Sequence, residues 1–261
     1  MEILTIRANN PGPMTGDGTN TYLVGDKEYT VIDPGPNLES HVNRITHLHL
    51  KITSILLTHY HKDHAESAQV LSEKLSIPIY APLASAFDPI DNLIPDQSLQ
   101  DNDLINVGQD HMIAVHTPGH ASNHFCYFLP KLGALFAGDH IMNGSTVIIN
   151  PPDGDMRNYI KSLIKVRDLP LETIYPGHGE PITSPFHYIE SLVDHRKKRE
   201  VRVLENLDQS FQSLDELVKK VYLDKKSNIY PIAKRSLEAH LIKLERDDLA
   251  LSNKKGWQLK T

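Results

Sequence analysis

A single cysteine among 261 residues excludes a disulfide framework and suits a reducing compartment. No stretch approaches the roughly 20 consecutive apolar residues needed to span a bilayer, so no membrane segment is expected. The first residues, Met1 to Arg7, have neither an apolar core nor a cleavage site. No signal peptide is therefore expected, and cytoplasmic residence is the expectation. Strong basicity is also missing, with 27 Lys and Arg against 33 Asp and Glu and a net charge of −6. Internal repeats and low-complexity tracts are absent. A hydrophobic content of 39% and a charged content of 23% are those of a soluble globular protein. The length suffices for one large core and a small appendage.

Histidine, by contrast, is concentrated. Residues 58 to 64 read Thr-His-Tyr-His-Lys-Asp-His, placing His59, His61, Asp63 and His64 within six positions. The run follows a strand-like stretch, Ser54 to Leu57, and precedes a helix-like one, Ala65 to Leu75. A tight loop at a strand end lets several donors converge on one point. Imidazole and carboxylate together suit zinc, iron or manganese. Three later segments repeat this logic, each a short apolar strand ending on a ligand type. Met112 to Val115 leads to Thr117-Pro118-Gly119-His120, Leu135 to Gly138 leads to Asp139-His140, and Ile174-Tyr175 leads to Pro176-Gly177-His178. Each alone reads as an ordinary Pro-Gly or Gly-Asp turn. Together with the first cluster they give five histidines and two aspartates, enough for two ions sharing one carboxylate.

The H-x-H-x-D-H run at 59–64, followed in order by His120, Asp139 and His178, resembles the metallo-β-lactamase superfamily of binuclear hydrolases. Asp33, in Val31-Ile32-Asp33-Pro34-Gly35, resembles the upstream motif of that family. The resemblance covers roughly residues 1 to 185. It implies an α/β (α+β) fold, a four-layered αββα sandwich with the site along one edge. It also implies two divalent ions, zinc first, with iron or manganese as alternatives. His59, His61 and His120 would hold one ion, and Asp63, His64 and His178 the other. Asp139 would bridge them, Asp33 would support a ligand from behind, and Asp63 would orient the attacking hydroxide held between the ions. Asn10-Pro11-Gly12-Pro13-Met14-Thr15 and Gly18 to Val24 are similar to the lactamase-β-like-protein-2 group. That group contains single-stranded RNA endonucleases and thioesterase-like enzymes. The chain departs from the pattern after the motif, where Ala65-Glu66-Ser67 stands in place of a small residue and two glycines.

Asp139 is a carboxylate and not a thiolate, which disfavours β-lactam hydrolysis. Cys126, within Phe125 to Leu129, reads as a small buried hydrophobe. His124 and His140 flank ligands and are candidate leaving-group acids, though each reads first as a structural histidine.

The composition changes near residue 185. Beyond it, Gly and Pro nearly vanish and helical periodicity takes over, so residues 1–185 are expected to form the catalytic domain and 186–261 a second one. Helices are expected over 186–205, after an N-cap at Ser213, and over 230–247, where Ala233, Leu237, Leu241 and Leu244 recur at helical spacing. A hairpin at 249–259 completes a winged-helix pattern, which also resembles the C-terminal domain of the same group. This region carries 16 Lys and Arg against 12 Asp and Glu, and the rest of the chain carries 11 against 21. The run Arg196-Lys197-Lys198-Arg199 could meet RNA phosphates, or it could be a solvated helix face. The domain could equally be a homodimer contact or a cleft wall. The functional expectation is a two-metal hydrolase acting on single-stranded RNA, with a glyoxalase II-like thioester hydrolase as the alternative. A non-enzymatic module binding nucleic acid or a partner is the third reading.

Overall fold

The computed structural model describes residues 1–90, 93–224 and 226–260. Two mixed sheets organise the larger part of the chain. The first contains β1 (Glu2–Arg7), β2 (Asn20–Gly25), β3 (Tyr29–Ile32), β4 (Ile52–Leu56), β5 (Ile79–Pro82) and β6 (Gln97–Leu99), in that spatial order. The second contains β7 (Leu104–Val107), β8 (Asp110–His116), β9 (Phe125–Leu129), β10 (Ala134–Gly138) and β11 (Thr173–Pro176), ordered β11-β10-β9-β8-β7. Alternation along the strands explains their stacking. Tyr22, Val24, Ile32 and Leu56 join Met112, Ala114, Tyr127 and Phe136 in one core between the sheets. The intervening residues Leu23, Val31 and Ile55 turn the other way. They pack with Val42 and Ile45 of α1 (Glu39–Thr46) and Leu71 of α3 (Ala68–Leu75).

The helix expected over 65–75 is broken and starts earlier. A first turn, α2 (Lys62–Ala65), already contains Asp63 and His64. The break has a local cause. Ser67 N–H donates to Gly35 O at 3.1 Å and Ser67 Oγ to Pro34 O at 2.8 Å, which diverts the chain before α3 begins.

By compactness the chain forms two units. One comprises Met1–Thr117, Asn123–Val147 and Val166–Phe186, and the other Pro118–Ser122, Ile148–Lys165 and His187–Thr261. The second unit contains most of α4 (Met156–Arg167) and α5 (Pro185–Glu205), with α6 (Leu214–Val221), α7 (Tyr230–Arg246) and the hairpin β12 (Ala250–Asn253) with β13 (Gly256–Leu259). Ser213 caps α6 in a capping box with Glu216, as its position before Leu214 suggests. Val203, Leu217, Val221, Leu237, Leu241 and Leu244 form its apolar core. Among the described residues no helix is long and apolar enough to cross a membrane.

The basic run on α5 is only partly a solvated face. Arg196 is 3% exposed, with its guanidinium 5.1 Å from the centre of the Tyr159 ring. Arg199 lies 4.0 Å from the Tyr222 ring centre and donates to Val221 O at 2.9 Å. Both are packing residues. Arg196→Ala is expected to lower the unfolding free energy by about 1–2 kcal/mol in a urea titration. Lys197→Ala and Lys198→Ala, on exposed positions, are expected to leave the midpoint where it is.

Candidate metal centre

Strand order places the chemistry at C-terminal strand ends, as in other sheets with parallel neighbours. β3 and β4 are parallel neighbours, so Asp33, just after β3, meets Thr58, just after β4. β10 and β11 are likewise parallel neighbours, and they end near Asp139 and His178. Asp33 adopts φ 49°, a left-handed conformation that aspartate tolerates better than most residues. Two hydrogen bonds fix it there, from its own N–H to Leu56 O at 2.9 Å and from Thr21 Oγ1 to its carbonyl at 2.7 Å.

The Asp33 side chain sets two imidazoles. Its Oδ2 accepts from His64 Nδ1 at 2.8 Å and from Thr58 Oγ1 at 2.7 Å, and its Oδ1 from Thr58 N at 2.8 Å. Because the Thr58 hydroxyl donates to Asp33, it must accept from His59 Nδ1, 2.9 Å away. Both rings therefore carry their proton on Nδ1 and present the lone pair of Nε2. His178 does the same, with Nδ1 donating to Gly18 O at 3.2 Å.

Four of these ligand atoms form a cage. His64 Nε2 lies 3.4 Å from Asp63 Oδ2 and 3.3 Å from Asp139 Oδ1, and His178 Nε2 lies 3.2 Å from each. A tetrahedron of N and O ligands at zinc bond lengths has edges of about 3.3–3.4 Å. His64 Nε2 is fully buried and makes no hydrogen bond among the described residues, which would be a cost without a cation to face. Beside this cage, His59, His61 and Asp139 also offer ligand atoms within 4.8 Å of one another, with His59 Nε2 3.0 Å from His61 Nδ1. The donor set fits one divalent ion at each group, with Asp139 common to both. Gly177 is required here, because a Cβ on it would lie 2.6 Å from His64 and 2.8 Å from Asp139.

The electrostatics of the cage are those of paired opposite charges. Burial opposes ionisation of Asp63, but the imidazoles of His64 and His178 outweigh it and hold its pKa at about 2. Asp139 is depressed well below the carboxylate range in the same way. Burial disfavours a charged His178, yet Asp139 and Asp63 raise it to about 9, and His64 is likewise raised. His59 goes the other way, lowered by burial and by neighbouring His64, His61 and His124.

His120 belongs to the second unit, on the segment Pro118–Ser122, with its Nδ1 donating to Ile148 O at 2.8 Å. His124 is fully buried, 2.9 Å from Thr117 Oγ1 and with its ring centre 5.0 Å from that of His59. His140 is also fully buried, and Cys126 lies in the core 3.3 Å from Thr117 Oγ1. Sequence reasoning passed over two contributors. Thr58 couples Asp33 to His59, and Thr19 donates to Asp63 Oδ2 at 3.2 Å. A hydroxyl directly before the first ligand of a buried cluster was the available signal for Thr58.

Comparison with known proteins agrees with this geometry. Residues 14–178 match the metallo-beta-lactamase superfamily and residues 213–257 the beta-lactamase associated winged helix domain. The chain is 32% identical over 263 residues to the beta-lactamase-like protein 2 homolog of Drosophila melanogaster, covering 94% of this chain and 88% of that protein. It is 31% identical over 210 residues to the atrochrysone carboxyl ACP thioesterase of Aspergillus fumigatus, covering 77% of this chain and 64% of that protein. The fold superposes on a metallo-beta-lactamase family protein of Thermus thermophilus with a TM-score of 0.83 at 20% identity, covering 98% of both chains. The chain therefore belongs to the metallo-beta-lactamase superfamily of hydrolases and carries a C-terminal winged helix domain.

Two outcomes follow from the cage. Thr58→Val removes the hydroxyl that orients His59 and is expected to weaken zinc binding about 10- to 100-fold in chelator competition. Raised imidazoles hold their protons at pH 7, so an ion must displace them. Zinc titration calorimetry in buffers of different ionisation enthalpy should show about two protons released at pH 7, from His64 and His178. Affinity should fall as pH drops below about 9, the value for His178.

Proposed function

We propose that the chain is a two-metal hydrolase of small acyl thioesters. In this reading His59, His61 and His120 hold one ion, Asp63, His64 and His178 the other, and Asp139 is shared. Zinc is the proposed metal, with iron or manganese the alternatives that the same ligands accept. The observation that supports a metal site in this reading is the cage of His64, His178, Asp63 and Asp139, whose 3.2–3.4 Å spacings match the edges of a zinc tetrahedron. Ions held there supply an acidified water and a Lewis acid for the scissile carbonyl.

The remaining work falls to the chain's own residues. Thr58 and Asp33 keep His59 and His64 in the Nδ1–H tautomer. Asp63, ionised across the physiological range and aimed by Thr19, accepts a hydrogen bond from the attacking water and orients it toward the carbonyl carbon. The thiolate of a thioester leaves without obligatory protonation, so the reaction does not require a neighbouring general acid. That agrees with the full burial of His124 and His140.

Two observations favour a thioester over RNA. A relative of the chain is named as a thioesterase of acyl carrier protein substrates. Arg196 and Arg199, half of the basic run that could have met phosphates, pack on tyrosine rings. The test is a panel on purified zinc-loaded protein: acyl thioesters, hydroxyacyl-glutathione, single-stranded RNA, a phosphodiester and a β-lactam. Thioester turnover is expected, with Asp63→Ala lowering kcat by at least about a hundredfold and KM little changed. RNA cleavage that falls steeply with salt, without thioester turnover, would transfer the assignment to a nuclease.

A further inference from the structure

His120 belongs to the same compact unit as the C-terminal helices, on the turn that follows β8. Its environment within that unit is specific. The backbone of its segment is held at three points. Ser162 Oγ donates to Pro118 O at 2.8 Å, Asp155 N–H to Gly119 O at 2.8 Å, and Ser122 N–H to Asp153 Oδ1 at 3.0 Å. Gly119, at φ 145°, brings the segment so close to α4 that a Cβ there would lie 2.4 Å from Tyr159 Cα. Asp155 is itself ion-paired to Arg246 near the end of α7.

One peptide group holds the imidazole. His120 Nδ1 donates to the carbonyl of Ile148 at 2.8 Å. The N–H of that same peptide, on Ile149, donates to Ser236 Oγ of α7 at 3.3 Å, in a buried setting. A trans peptide points its C=O and N–H in opposite directions. Ser236 on one side and His120 on the other are therefore joined in line, and hydrogen bonds chained through a peptide polarise one another. Chaining also sets the tautomer. With Nδ1 protonated, the lone pair of His120 lies on Nε2, the atom a metal takes when a carbonyl holds the other nitrogen.

We infer that Ser236 is a positioning residue for the metal ligand His120, so that the C-terminal domain tunes the first ion of the catalytic site. The inference rests on the reading of His120 as a ligand. It assigns the winged-helix region a role in the chemistry whatever the substrate. Ser162, Asp153 and Asp155 hold the backbone of the ligand, and Ser236 holds the peptide that aims its ring.

The test compares Ser236→Thr with Ser236→Val, which match in shape and differ in the hydroxyl. Zinc affinity is measured on the full chain by chelator competition. A His178→Ala background isolates the first ion and a His61→Ala background the second. Ser236→Val is expected to weaken the first ion about three- to tenfold, less than the 10- to 100-fold typical of a ligand's direct partner. It should leave the second ion unchanged, and Ser236→Thr should restore the first. Equal affinities for the Val and Thr variants overturn the inference. So does equal weakening of both ions, which marks a purely structural serine. If His120→Ala leaves first-ion affinity intact, the ligand reading itself falls and takes the inference with it.

Discussion

A carboxylate at 2% exposure, such as Asp33, is tolerable only when donors surround it. Its three donors are also the parts of the site that most need fixing. Thr58 N holds the start of the ligand loop against β3. Thr58 Oγ1 passes the constraint to His59, and the third hydrogen bond goes directly to His64. One imidazole from each candidate group is thus oriented by a single side chain. The arrangement explains the unusual backbone at Asp33. Only a left-handed residue before Pro34 turns the carboxylate back across the strand ends, and the hydrogen bonds from Thr21 and to Leu56 hold it there.

The cage reverses the usual rule for buried charge. Asp63 and Asp139 face His64 and His178 at 3.2–3.4 Å, so two depressed carboxylates and two raised imidazoles balance one another. Protons in that arrangement do what divalent ions would do, and they occupy the same lone pairs. A cluster of carboxylates alone would lack that balance, and like-charge repulsion would force it to neutralise. Gly18 O holds the ring of His178 from behind.

The His/Asp pattern was legible because it is local. His59, His61, Asp63 and His64 lie within six positions, and each later candidate ends a short apolar strand followed by a turn. The two-sheet architecture and the C-terminal helices followed from resemblance and from periodicity. What sequence could not show was set by tertiary contacts. The interruption between α2 and α3 depends on Ser67 bonding to Gly35 and Pro34, residues about 30 positions away in the chain. The capture of Arg196 by Tyr159 and of Arg199 by Tyr222 turned half of an apparently solvated basic run into packing, because a charge run in one dimension says nothing of which ring lies beneath it. Ser236 was invisible for the same reason. A hydroxyl acquires meaning only from the groups it bridges.

Substrate class is where local chemistry ceases to discriminate. A metal held by these residues would supply an acidified water and a Lewis acid, which suit a carbonyl and a phosphoryl centre alike, so the cage alone does not choose between an ester and a nucleic acid. The choice must come from groups outside it. A polyanionic strand needs cationic heads that can leave the protein surface to meet phosphates. A guanidinium at 3% exposure cannot do so, and one stacked on Tyr222 while donating to Val221 O is already committed. Lys197 and Lys198 remain on the exposed side of α5. The leaving group points the same way. An RNA oxyanion benefits from a nearby acid, and the two histidines next to ligands, His124 and His140, are sealed in the core. A thiolate needs no such acid, so a thioester makes the fewest demands beyond what these residues provide.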